Sequence, residues 1–213
     1  ESVITSVGEL NADVVIMCIG IRPSTDFLKD SGIEMIKGAI CVDSYQKTNL
    51  DDIYAAGDCA IVKNRLTDNR QWSAMGSTAN ITARCLAKTL TGENSPYAGC
   101  LGTGVVKLSP TLNAGRTGLS EKQAREAGFD VETVICVTDD KAHYYPDSDS
   151  FVTKLIADKK SGRLLGLQVL GSAVDKMTDI AVVGISSGLR VSDYDAMDMA
   201  YAPPFSTAIH PFV

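Results

Sequence analysis

The stretch Thr48-Asn49-Leu50-Asp51-Asp52-Ile53-Tyr54-Ala55-Ala56-Gly57-Asp58-Cys59 holds the densest set of chemistry-bearing residues in the sequence. Its apolar run, Ile53 to Ala56, reads as a short strand that delivers a Gly-Asp pair to its carboxyl end, where α/β sheets bind ligands. Gly57 carries no side chain, so a ligand can come close to the backbone there. Asp58 offers a carboxylate that accepts hydrogen bonds from sugar-type hydroxyls. The same spacing also fits a turn closed by an Asx cap, and the residues alone leave both readings open.

Cysteine and histidine supply less. Cysteines stand at 18, 41, 59, 85, 100 and 136, no two of them in C-x-x-C spacing, and His143 and His210 are the only histidines. Neither a dithiol nor a metal-binding pattern follows from that. Cys59 lies beside Asp58 but has no basic neighbour and no resolving thiol in sequence, so it reads as a packed thiol. An enzyme using Cys59 with His210 has no support from their spacing. No G-x-G-x-x-G occurs: Gly102-Thr103-Gly104 is followed by Lys107 where the third glycine would stand.

The elements that must position these residues fall into two groups. Val14 to Ile19, closed by Gly20, is continuously apolar and predicts a strand buried on both faces. Pro23 breaks the chain after it. Phe27-Leu28 with Gly32-Ile33 predicts a short helical turn, and Ala39 to Val42 a second strand. Residues 73–90 predict a helix in which Ile81 and Cys85, and Leu86 and Leu90, share faces, with Gly92 as the stop. Asn94 to Gly99 reads as a linker. Beyond it the pattern becomes antiparallel β with helices: strands near 104–108, 111–117 and 131–137, then a hairpin of 151–157 and 164–170 around Asp158-Lys159-Lys160-Ser161-Gly162. Ser120 to Gln123 predicts a capping box, and Val174, Met177, Ala181 and Gly184 mark one face of a final helix running to about Leu189.

The chain has 213 residues, 20 Lys+Arg against 26 Asp+Glu, a net charge of −6, and 45% hydrophobic residues. That length suits one or two domains and the composition is that of a globular protein. Acidic excess without basic clusters argues against nucleic acid as a partner. The longest apolar runs fall far short of the ~18–20 residues that span a membrane, and no secretory signal is visible. Scattered cysteines in such a chain predict reduced thiols and a cytoplasmic location. The chain starts at Glu1 and ends at Phe212-Val213, which suggests a piece of something longer.

Residues 48–59 resemble the second flavin motif, T-x-x-x-x-I-Y-A-x-G-D, of the FAD-dependent pyridine nucleotide-disulfide oxidoreductases. The upstream run A-D-V-V-I-M-C-I-G-I-R-P, residues 12–23, resembles the segment where that family's NAD domain returns to its FAD domain, with Cys18-Ile19-Gly20 in place of the usual A-T-G. His143-Tyr144-Tyr145-Pro146 and Tyr201-Ala202-Pro203-Pro204-Phe205-Ser206 resemble segments of the coenzyme A-disulfide reductases and the related NADH oxidases and peroxidases. The resemblance spans essentially the whole chain. It implies an α/β and α+β fold: the end of an NAD(P)-binding domain in 1–20, the C-terminal segment of an FAD-binding α/β domain in 21–100, and a dimerisation domain of antiparallel sheet and helices in 101–213.

The resemblance also implies roles. Asp58, with Gly57 beside it, would hold the ribityl chain of FAD. The helix that follows would aim its N-terminus, with the backbone of Ala74 and Met75, at the flavin's pyrimidine edge, where negative charge grows on reduction. Tyr201, and more weakly Tyr145 or Tyr144, would reach across a homodimer to the partner's active cysteine. A phenol, with a reference pKa of about 10, donates a hydrogen bond to a sulfur while staying uncharged; packing at an interface is the other reading of these tyrosines. His210-Pro211 is followed by Phe212 rather than the Thr of the glutathione and lipoamide reductases, which argues against His210 as an acid–base. The catalytic cysteine and both dinucleotide fingerprints would lie outside these residues.

The expected activity is transfer of electrons from NAD(P)H through FAD to a small disulfide, a peroxide or oxygen, the present residues alone being inactive. No metal is expected. The alternative is a non-catalytic dimerisation module that binds no flavin.

Overall fold

The computed structural model describes residues 1–213. Strands β1 (Ser2–Thr5) and β2 (Gly8–Asn11) form an antiparallel hairpin. The predicted strand at 14–19 is not formed. Ile16 and Ile19 are 81% and 85% exposed and the run joins no ladder. The reason is physical: a strand that is apolar on both faces needs flanking strands and two covering layers. No segment of these residues provides them.

A four-stranded sheet follows, in the order β3 (Met35–Ile36), β4 (Ala39–Cys41), β5 (Ala60–Lys63) and β6 (Arg70–Trp72). Strands β4 and β5 are parallel and the other neighbours antiparallel. Alternate residues serve opposite faces: Ala39, Cys41 and Ile61 pack with Trp72, while Ile40 and Ala60 pack with Ala55, Leu28 and Met35. The expected helical turn is present as a single tight turn at Asp26–Leu28.

Helix α1 (Gly76–Leu90) has the expected extent but buries a different face. Thr78 and Thr82 are its buried residues, while Ile81 and Leu90 are exposed. The Thr82 hydroxyl donates to the Thr78 carbonyl, 2.9 Å, and accepts the Gly57 N–H, 3.2 Å. A helix that must dock onto a backbone turn turns hydroxyls toward it, and hydrophobic spacing alone does not reveal that.

Residues 101–213 form a five-stranded antiparallel sheet ordered β7 (Gly104–Lys107), β8 (Asn113–Gly118), β11 (Leu164–Gly171), β10 (Ser150–Asp158) and β9 (Val131–Asp139). Helix α2 (Glu121–Glu126) follows β8 and carries the expected capping box between Ser120 and Gln123. Helix α3 (Val174–Ser187) lies across one face of the sheet. Its Val174, Met177, Ala181 and Ile185 join Phe151, Leu155, Leu167 and Val169 in the main core. Each of these side chains except Ala181 contributes on the order of 1.5–3 kcal/mol on burial. Tyr194 and Phe212 close that core from the C-terminal segment, their rings edge to face at 5.1 Å.

The segment 94–100 is irregular but held fast. Tyr97 is buried and its N–H donates to Ser44 O, while Cys100 bonds Lys63 and Arg65 through the backbone. It anchors the second unit onto β5 rather than hanging as a free linker.

Candidate functional site

Two places gather the residues that could do chemistry. At the first, the backbone of Ile53 to Ala55 pairs with the turn before it: Thr48 N–H donates to Ile53 O and Ala55 N–H to Gln46 O. Only a lone bridge, Lys47 to Tyr54, results. The ladder strand comes afterwards, at β5, so Gly57-Asp58 precedes a sheet strand instead of ending one. The expected strand at 53–56 is corrected accordingly, because the Ala55 donor and the Ile53 acceptor are spent on the 46–48 turn.

Gly57 to Cys59 make a single tight helical turn. Gly57 has φ +82°, a left-handed value that suits glycine, and a side chain there would point at Ala79 of α1. The turn is therefore pressed against the helix. Thr82 holds its Gly57 N–H, and the Trp72 indole N–H donates to Asp58 O at 2.7 Å. With both backbone groups engaged, the Asp58 side chain is left exposed and makes no hydrogen bond within the chain. Met75 is the N-cap of α1, in extended conformation. No side chain caps this end and no acidic residue lies in its first turn. Free N–H groups and the positive end of the helix dipole are thus left for an external acceptor. Ala74 is half-buried and Met75 exposed beside it.

At the second place, the end of β9, the loop after it and the C-terminal segment meet. Their junction is tied by Ala142 N–H donating to Pro203 O, 3.2 Å. Between them lies a cavity of about 490 Å³ lined by Tyr144, Tyr201, His143, Asp139, Thr207 and Ile209, among others. Tyr144 and Tyr201, far apart in sequence, are brought together. Both are more than half exposed. Tyr145 does not line the cavity; its N–H turns back to Ala142 O, 2.7 Å.

His210 sits elsewhere. It is 7% exposed, with Nδ1 accepting the Phe212 N–H at 3.3 Å and Nε2 without a partner. Burial, reinforced by the charge of Lys176, lowers its proton affinity below the ordinary imidazole value of 6.5. Cys59 points its thiol at Ala56 O, 3.5 Å, and all six cysteines are unpaired. No cluster of three or more His, Cys, Asp or Glu side chains could hold a metal ion, and no helix is long and apolar enough to cross a membrane.

Both places lie in stretches that match a known family. Residues 1–80 match the model of the pyridine nucleotide-disulphide oxidoreductases, and residues 109–212 match the dimerisation domain of the same family. The chain belongs to the pyridine nucleotide-disulphide oxidoreductase family. Among curated relatives, the CoA-dependent NAD(P)H sulfur oxidoreductase of Pyrococcus furiosus is 34% identical over 100% of this chain and 48% of the relative. An NADH oxidase of Enterococcus faecalis is 28% identical over 95% of this chain and 46% of its own length. The chain thus spans about half the length of the curated relatives it matches. A solved NAD-dependent persulfide reductase from A. fulgidus superposes with TM-score 0.90 at 34% identity, covering 99% of this chain and 39% of that one. The reduced CoADR-RHD of Bacillus anthracis gives TM-score 0.92 at 33% identity, covering 99% and 38%. The fold is that of this family: mixed α/β with antiparallel sheets and few helices.

Residue-type reasoning missed Thr82 and Trp72 as holders of the Gly57-Asp58 backbone. The signal available was a pair of threonines four apart inside a helix, a spacing that places two hydroxyls on one face.

Proposed function

We propose that these residues are the C-terminal portion of a homodimeric flavoenzyme that passes electrons from NAD(P)H through FAD to a sulfur substrate, a disulfide or persulfide, rather than to peroxide or oxygen. The observation that carries this reading is the convergence of Tyr144 and Tyr201 on one cavity. The division into 1–20, 21–100 and 101–213 is part of the proposal. The unpaired thiols fit a reducing, cytoplasmic compartment.

The first site fits a flavin: an uncapped helix N-terminus, an unengaged carboxylate and a glycine turn pressed onto the helix lie together. Asp58 would accept hydrogen bonds from the ribityl hydroxyls, Gly57 would let the chain approach, and the backbone of Ala74 and Met75 would face the ring edge. When bound, FAD supplies the two-electron carrier between nicotinamide and sulfur. Gly57 and Asp58 are pre-positioned by Thr82 and Trp72, so little ordering remains at binding.

At the second site Tyr201, with Tyr144, would donate O–H hydrogen bonds to the sulfur that departs as a thiolate. Near neutral pH a phenol keeps its proton and offers it without adding charge. Tyr145, turned from the cavity, would have a packing role. Family membership through a dimerisation domain supports a partner subunit as the source of the reacting thiol.

In the flavin-loaded full-length enzyme, Tyr201→Phe is expected to slow disulfide reduction about 10- to 100-fold, the worth of a hydrogen bond to a charged group, with flavin content unchanged. Asp58→Ala is expected to lower flavin per chain. Loss of flavin in Tyr201→Phe, with normal turnover per flavin, would overturn the assignment. The 213-residue chain by itself is expected to self-associate and to retain little flavin through gel filtration. Tight flavin retention by it would contradict the domain division proposed.

A further inference from the structure

We infer that His143 recognises negative charge on the substrate, making the Tyr144–Tyr201 cavity selective for anionic sulfur compounds. The inference rests on reading that cavity as the substrate site. The lining residues contain no lysine or arginine. Asp139, at the end of β9, Tyr144 on the same loop and Tyr201 from the C-terminal segment are the other titratable groups that face the space. His143 is therefore the one basic side chain that this chain contributes to the lining. Asp139 and the phenols can supply only negative or neutral charge.

The position is held. The His143 and Tyr144 rings meet edge to face, centroids 5.5 Å apart and planes at 81°. The loop that carries them is fixed to the Tyr201 segment through Ala142 and Pro203, and to β11's end by the Ser172 hydroxyl donating to Asp140. His143 is exposed, and an imidazole ring N–H can donate a hydrogen bond to an anion. Lys141 lies nearby in sequence but does not line the cavity.

Two chemistries could present the anion: a phosphate on the substrate's carrier arm, or the ionised terminal sulfur of a persulfide. Three substrates separate them. Coenzyme A disulfide has phosphates, pantetheine disulfide has the same sulfur arm without them, and pantetheine persulfide has only the ionised sulfur.

In the flavin-loaded full-length enzyme, His143→Ala is expected to raise KM about 10-fold for at least one of the anionic substrates. KM for pantetheine disulfide should rise less than KM for that anionic substrate, since losing the ring also frees the Tyr144 ring packed against it. His143→Lys is expected to restore a low KM. An effect on coenzyme A disulfide alone would assign the phosphate, and one on the persulfide alone the sulfur. An equal rise for pantetheine disulfide, or no rise for any substrate, would overturn the inference. If the wild-type enzyme oxidises NAD(P)H with none of the three, the functional reading fails first. The His143 ring resonances in the 213-residue chain then decide: coenzyme A or pantetheine persulfide should shift them more than pantetheine does, and equal behaviour of all three would overturn it.

Discussion

Residues 101–213 bury a continuous core between their sheet and α3, though Val105, Val134, Ile135 and Val137 stay more than half exposed, whereas the start of the chain leaves its most apolar segment in water. In the C-terminal unit Phe151, Ile156, Leu164, Leu167 and Ile185 are at most 1% exposed. Each strand there finds its neighbour through antiparallel pairing: β9 with β10, β10 with β11, and β11 with β8. The β9–β10 and β10–β11 pairs close over short connections at little loop entropy, while β8 reaches β11 across α2 and two intervening strands. Between Val14 and Ile21 the opposite holds, because a fully buried strand depends on partners distant in sequence or supplied by other residues. A dense apolar run thus states a demand for burial, and the fold decides whether that demand is met.

The firmest way to break this contrast acts on the closed unit. Gly166 in β11 faces the Leu119 carbonyl, and a Cβ there would lie 2.0 Å from Leu119 O. Both atoms belong to backbone that cannot move without disturbing the β8–β11 pairing, so Gly166→Ala should destabilise the chain by about 3 kcal/mol, the upper range for overpacking. Urea unfolding measures it. A loss under about 1 kcal/mol would mean the junction is looser than the structure describes.

A smaller effect is expected at His210, which helps close the same unit. Its folded proton affinity is lowered, so the unfolded chain binds the proton more tightly. Its stabilising contribution is complete above the unfolded value of about 6.5 and is lost as pH falls through the lowered folded value. His210→Phe should therefore unfold with a shallower loss between pH 7 and pH 5 than the parent. Parallel acid limbs would show that His210 protonates freely in the fold.

The smallest effect belongs to the open segment. Ile16 is 81% exposed, so Ile16→Asp should change the stability of this chain by less than about 0.5 kcal/mol. A larger loss would show that the run is buried after all and would erase the contrast.

Legibility in sequence followed the same divide. In the C-terminal unit the capping box at Ser120, the turn at Asp158 to Gly162 and the face Val174, Met177, Ala181 and Gly184 were each readable, because local hydrogen bonds and period-matched burial set them. At the first site the Gly57-Asp58 pair was readable as chemistry, and its setting was not. The backbone of 53–55 spends its hydrogen bonds on the preceding turn, and α1 docks through Thr78 and Thr82 rather than through Ile81 and Leu90. Those outcomes depend on which surface each element meets.

The sequence by itself determined the residue types able to act, the family they point to and the elements of the antiparallel unit, since short-range spacing carries that information. Tertiary structure alone decided that Thr82 and Trp72 hold the Gly57-Asp58 turn, that Tyr144 rather than Tyr145 joins Tyr201, and that His143 shares their cavity. The physical reason is that convergence is a property of packed segments: nothing in the spacing between residues 143 and 201 encodes the few ångströms that separate the surfaces carrying them.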